Sequence, residues 1–223
     1  MEKIIIVVAV LPLISALLIQ LFAGQMGRGI ARLSVAFTTV SFLLAVVLLS
    51  LSLAGHDPLA ITLGNSTAIM LFDPLSTLLA TIILGISLIV HLYSVRYMAE
   101  EDAYGQFFVL LDLMTAALLF MVIAGDLVTL VIAWYLVGVL LYFLLGHDTR
   151  SQTAYRFAFW TLITYRIGDI PLILAAALLF NAYDTWSLTI IFTEIMANPD
   201  AHQVMGMPLT EVVAALIGLA AFA

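Results

Sequence analysis

Apolar residues run along this chain in long blocks separated by short polar stretches. Neither the strict alternation of a half-buried strand nor the one-sided stripe of a soluble helix governs them. Six blocks approach the length of about 20 residues that a membrane-spanning helix needs: roughly 3–23, 33–54, 74–95, 107–125, 127–146 and 159–181. A seventh begins near Leu209 and runs to Ala223. It would make about 22 Å of helix at 1.5 Å per residue, short of a hydrocarbon core of about 30 Å, and it reads as the start of a truncated or split span. The pattern predicts an all-α fold, a polytopic transmembrane helix bundle of six full spans plus a truncated seventh.

The polar stretches divide the chain further. Residues 1–54 form a two-helix hairpin. The 55–73 loop carries Ile61-Thr62-Leu63 and Ala68-Ile69-Met70-Leu71 around Gly64-Asn65, the pattern of an external β-hairpin. Four helices over 74–181 make the core. In the 182–208 loop, Leu188, Ile191, Phe192, Ile195 and Met196 recur at helical spacing and stop at Asn198-Pro199, which predicts a short surface helix. Residues 209–223 open the seventh span. Counting loops alternately, Arg28, Arg32, Arg96, Arg150 and Arg156 fall on one side, and Lys3 and the amino terminus on the other. The positive-inside rule then puts the N-terminus outside.

Composition agrees and narrows the function classes. Of the 223 residues, 65% are hydrophobic and 9% charged, against about 25% charged in a soluble domain, and mean hydropathy is +1.22. The formal net charge of −7 comes mostly from loop acids, and no basic cluster would bind nucleic acid. With no cysteine, disulfides, thiolate nucleophiles, cysteine zinc sites and iron–sulfur clusters are excluded. No phosphate-binding glycine loop or nucleophile elbow is present. His56, His147 and His202 lie in loops or at span ends without ligand spacing, so no metal site is expected.

Candidate chemistry therefore rests on ionisable residues at membrane depth, each costing about 2.5–3.5 kcal/mol at a helix centre. Arg166 and Asp169 lie three residues apart in Thr164-Tyr165-Arg166-Ile167-Gly168-Asp169-Ile170-Pro171, so they share one helix face. They read either as a charge pair that biases ions along a hydrated path beside a helix break at Pro171, or as a structural tie between helices. Asp112 reads as a protonatable relay carboxylate or as a group snorkelling to the interface. His91 reads as a proton relay, since an imidazole takes up and gives up protons near neutrality, or as a histidine bonded to a neighbouring helix.

Several of these residues lie in recognisable strings. His91-Leu92-Tyr93-Ser94, then Tyr97-Met98, an acidic turn and Phe107-Phe108 resemble the antiporter-like subunits of energy-converting membrane complexes. These are chain 5 (subunit L) of NADH-quinone oxidoreductase and its relatives in multisubunit cation/proton antiporters. Asp73-Pro74-Leu75-Ser76 resembles that family's opening of the third span. Ala133-Trp134 with Gly138, Tyr142 and Gly146 resembles its fifth-span motif, and Arg166-Ile167-Gly168-Asp169 its Arg-Val-Gly-Asp. The resemblance spans about residues 73–181.

What the resemblance implies is part of a cation-translocating subunit of about fourteen or more helices. In that family a glutamate on the fifth span and a lysine on the seventh drive proton movement. Here the residue after the motif tryptophan is Tyr135, and the sequence stops before the lysine motif. A tyrosine does not replace a carboxylate as a charge partner, although it can pass a hydrogen bond. Asp112 is then a candidate for a displaced carboxylate.

The same departure points toward the branch serving two-component inorganic-carbon uptake. There the membrane subunit partners a zinc-containing, carbonic-anhydrase-like protein. The resemblance thus implies a proton- or sodium-translocating subunit of a larger energy-coupling complex in a bacterial inner membrane, of either the inorganic-carbon uptake or the respiratory NADH-quinone oxidoreductase type, without a cofactor of its own, with other complex subunits and lipid as partners. Its path would run through His91, Asp112, Arg166 and Asp169. A non-conducting scaffold that anchors a partner protein is the alternative.

Overall fold

In a computed structural model, residues 2–27, 29–56, 59–63, 67–101, 103–147, 152–199 and 201–222 are described. Among the described residues, eight helices and two small hairpins follow in the order α1 (Glu2–Met26), α2 (Gly29–Leu53), β1 (Leu59–Leu63), β2 (Thr67–Phe72), α3 (Pro74–Tyr97), α4 (Tyr104–Val122), α5 (Leu127–Leu145), α6 (Gln152–Tyr183), α7 (Leu188–Ala197), β3 (Gln203–Val204), β4 (Met207–Pro208) and α8 (Leu209–Phe222). Helices α2 through α6 are long and apolar enough to cross a membrane. Helix α1 has 25 residues and α8 has 14.

Local chemistry explains where the core helices start. The Asp73 carboxylate accepts from Ser76 N at 2.7 Å, and the Ser76 hydroxyl oxygen accepts from Asp73 N at 2.9 Å. That reciprocal cap satisfies two otherwise orphaned N–H groups, with Pro74 preset for the first turn. Thus the Asp-Pro-Leu-Ser string is a helix start. Asp126 caps α5 likewise, accepting from Thr129 N at 2.8 Å and from the Thr129 hydroxyl at 2.7 Å.

Several expected boundaries move: α1 runs on to Met26, α2 begins at Gly29 and α4 at Tyr104. The fourth span ends at Val122, and residues 123–126 form the turn into α5. The sixth helix begins at Gln152, not near 159, and runs unbroken through Pro171 to Tyr183. Its 32 residues make about 48 Å of helix, so it continues past the apolar stretch, where hydropathy no longer marks it. Proline removes one hydrogen bond, yet a packed membrane helix tolerates it; there is no helix break beside Arg166 and Asp169.

The loop segments at one end of the bundle are tied together. Strands β1 and β2 pair antiparallel, Leu71 N donates to Ile123 O at 2.8 Å, Leu127 N donates to Trp186 O at 2.9 Å, and Leu188 N donates to Gly125 O at 3.1 Å. Gly64 and Asn65, the expected hairpin tip, lie outside the described residues, as do Arg28, Arg150 and Ala223. On α7, Ile191 is buried and Leu188 and Ile195 pack beside it against Leu127, Ala175 and Leu179. Phe192 and Met196 face outward.

Helices α1 to α4 meet through small residues. The buried stripe of α2 reads Ile30, Ala31, Ser34, Thr38, Ser41, Ala45 and Leu48. Small side chains let membrane helices approach until dispersion and hydrogen bonds hold them. That stripe sets up the principal polar site.

Candidate ion pathway

Four helices supply polar groups around one carboxylate. Asp112, about two turns into α4, receives a hydrogen bond from Ser15 of α1 at 2.6 Å on Oδ2 and one from Ser34 of α2 at 2.9 Å on Oδ1. His91 Nε2 of α3 lies 3.0 Å from the same Oδ1. Neither the His91 nor the Asp112 side chain has any exposed surface. Burying an isolated charge is prohibitive, so such a group persists only when it is paired and hydrogen-bonded.

The far side of the imidazole is held as firmly. His91 Nδ1 lies 2.7 Å from Ser87 O and 3.2 Å from Ser87 Oγ. Ser87 Oγ lies 2.6 Å from Thr115 Oγ1, and the Thr115 hydroxyl donates to Leu111 O at 2.9 Å. The ring of buried Phe108 sits 6.1 Å from that of His91. One turn along α2 from Ser34, Thr38 Oγ1 is buried without a hydrogen-bond partner.

The second cluster joins α5 and α6. Arg166 Nη1 stands 2.9 Å from Asp169 Oδ2, with side-chain exposures of 28% and 9%. The two atoms are close but out of line for a hydrogen bond, and Arg166 Nε is buried unpartnered. Trp134 Nε1 donates to Asp169 Oδ1 at 3.1 Å. The guanidinium lies over the Tyr135 ring, with Cζ 3.9 Å from its centroid, and Nη2 donates to Tyr135 O at 3.3 Å. Gly138 leaves the room for this: a Cβ there would meet Arg166 Nη2 at 2.7 Å.

The four expected pathway residues therefore fall into two pairs, His91 with Asp112 and Arg166 with Asp169, with Tyr135 beside the second. Asp112 is enclosed by protein and does not snorkel to an interface. Among the described residues its hydrogen-bond partners are Ser15, Ser34 and His91. Of the other histidines, His56 Nδ1 contacts Leu51 O and His147 Nδ1 contacts Leu144 O. Among the described residues no group of three or more His, Asp or Glu is placed to hold a metal.

Sequence reasoning missed Ser15, Ser34, Ser87 and Thr115. The available signal was the small-polar spacing Ser34, Thr38, Ser41 on one helix and Ser87, His91, Ser94 on the next.

Comparison with known proteins identifies the lineage. Residues 61–108 match the family model described as NADH-ubiquinone oxidoreductase (complex I), chain 5 N-terminus. Residues 124–223 match that of NADH:quinone oxidoreductase/Mrp antiporter, transmembrane. The chain belongs to the antiporter-like membrane subunit family. It is 50% identical over 97% of its length to the "Probable inorganic carbon transporter subunit DabB1" of Halothiobacillus neapolitanus, of which it covers 39%. It is 34% identical over 56% of its length to NADH-quinone oxidoreductase subunit L of Mycobacterium tuberculosis, covering 20% of that protein.

Two solved structures share the fold across 99% of this antiporter-like chain. A chain of the Mrp complex from Dietzia sp. DQ12-45-1b matches at 26% identity with a TM-score of 0.78, 23% of that chain being covered. A chain of the membrane-bound sulfane sulfur reductase, an archaeal respiratory membrane complex, matches at 18% identity with a TM-score of 0.83, 44% of it being covered. The chain thus spans two fifths or less of the curated relatives described here.

Proposed function

We propose that this chain is the N-terminal part of a proton- or sodium-translocating subunit of a larger energy-coupling membrane complex, of the inorganic-carbon uptake type. The observation that carries the reading is the fully buried His91–Asp112 pair, held at 3.0 Å by groups from four helices. Intramembrane ionisable residues are costly and typically mark ion pathways, which favours translocation over a scaffold. The relative that is 50% identical over nearly the whole chain supports the inorganic-carbon type over the respiratory one. In this reading the partner is a peripheral zinc-containing, carbonic-anhydrase-like subunit, and the setting is a bacterial inner membrane.

The topology that goes with it is six crossings by α1 to α6, a partial seventh by α8, and the N-terminus outside. Arg32 near the start of α2, Arg96 in the last turn of α3 and Arg156 near the start of α6 support this. They sit at the helix ends opposite the tied loops, so the rule on basic residues places them inside. Residues 1–54, 55–73, 74–181, 182–208 and 209–223 are proposed as the working divisions.

The test is proton and sodium flux in proteoliposomes holding the intact complex with Asp112→Asn. Loss of most flux in a complex that still assembles is expected; unchanged flux would remove this site from the path. A scaffold reading is favoured by one observation, the Arg166 guanidinium bound to the Tyr135 ring and carbonyl where the family's glutamate would stand. It predicts that Asp169→Asn impairs assembly before it touches flux.

A further inference from the structure

The His91–Asp112 site is closed tightly enough to count its protons. Thr115 donates to Leu111 O, so its oxygen is free to accept from the Ser87 hydroxyl at 2.6 Å. The Ser87 hydroxyl hydrogen is then used, and both Ser87 oxygens facing His91 Nδ1 are acceptors. A carbonyl oxygen 2.7 Å away accepts only, which requires a hydrogen on Nδ1. On the other side, Ser15 and Ser34 donate to Asp112, leaving Nε2 and Oδ1 facing each other at 3.0 Å. Two bare acceptors would repel and two hydrogens would collide. One hydrogen therefore lies between them.

We propose that His91 and Asp112 form a one-proton exchange site selective for hydrogen ions over sodium, with Ser15, Ser34 and the Ser87 carbonyl as the residues that fix its selectivity. This rests on the reading of the chain as a translocating subunit and names its ion. The exchange is balanced within the pair: the Oδ1–H bond breaks as the Nε2–H bond forms, the electron pair stays on Oδ1, and neutral acid plus imidazole becomes carboxylate plus imidazolium. The net charge of the pair is zero in both forms, so the proton shifts without placing an uncompensated charge in the bundle.

Sodium does not fit the same geometry. A hard cation needs several oxygen lone pairs turned toward it. Of the roughly four lone-pair positions on a carboxylate, Asp112 has three filled, by two hydroxyl donors and a ring nitrogen. Those donors present hydrogens to the centre of the site and would oppose a cation there. Among the described residues, the side chains hydrogen-bonded to the pair or to its Ser87 partner are Ser15, Ser34, Ser87 and Thr115, all uncharged, with the buried Thr38 hydroxyl one turn along α2 from Ser34.

The experiment is nitrogen-15 solid-state NMR of His91 in the full-length protein within its complex in lipid. The ring is identified by the correlation of its Nδ1 with a labelled Ser87 carbonyl, so no substitution is needed. Between about pH 5 and 8, the range in which histidine usually switches, Nδ1 is expected to stay protonated, and no resonance of the ring should move on adding sodium chloride in place of potassium chloride. An unprotonated Nδ1, or a sodium-specific shift, overturns the proposal. Flux measured in parallel separates it from the underlying reading. The expected NMR pattern with proton flux lost in Asp112→Asn supports both; the same pattern with unchanged flux keeps the one-proton site and removes it from the conduction path.

Discussion

Two pairs of ionisable residues lie within the apolar helices of this chain, and they are built differently. His91 and Asp112 come from separate helices, have no exposed side-chain surface, and have their hydrogen-bonding atoms engaged within α1 to α4. Arg166 and Asp169 come from one helix; Asp169 is buried, Arg166 stays partly exposed, and Arg166 Nε has no hydrogen-bond partner. The first is a finished site whose properties follow from its own neighbours. The second is held across α5 and α6 by Trp134 and Tyr135, with Gly138 leaving room for the guanidinium.

If the contrast is right, removing a partner should cost far more in the first pair than in the second. Asp112→Ala strands the donors of Ser15, Ser34 and His91 in a dry interior, and breaking a buried pair this way costs about 3–5 kcal/mol. Thermal or denaturant unfolding of the protein in detergent checks it, and a loss below about 1 kcal/mol, the scale of an exposed ion pair, would erase the distinction between the pairs. Gly138→Ala comes next. Its methyl group would stand 2.7 Å from Arg166 Nη2, and because that side chain can swing aside, the cost should stay within the about 1–3 kcal/mol of an overpacked contact. Tyr135→Leu should cost least, about 0.5–1 kcal/mol for a half-exposed cation–π contact, measured in the same unfolding assay.

The comparison also explains what the sequence could and could not reveal. Arg166 and Asp169 were legible as a pair because three residues on one helix fix their separation. His91 and Asp112 are 21 positions apart on different helices, and hydropathy carries no information on which faces meet. Their pairing depends on tertiary packing, visible in advance only as small polar residues at helical spacing, Ser34, Thr38 and Ser41 among them. Helix existence followed from the apolar blocks, but the ends of α4 and α6 did not: α6 extends beyond the apolar stretch, and α4 yields to a turn anchored by the Asp126 cap. The Pro171 signal misled, since the helix runs through it.

The most direct measurement is a double-mutant cycle on proton flux through the reconstituted complex with His91→Gln, Asp112→Asn and both together. Groups that share one proton act as a unit and are strongly non-additive. Each single change should abolish most flux, and the double variant should be no worse than either. Independent, multiplying effects, or a double variant that still conducts at the unmodified rate, would contradict a pathway through this buried pair.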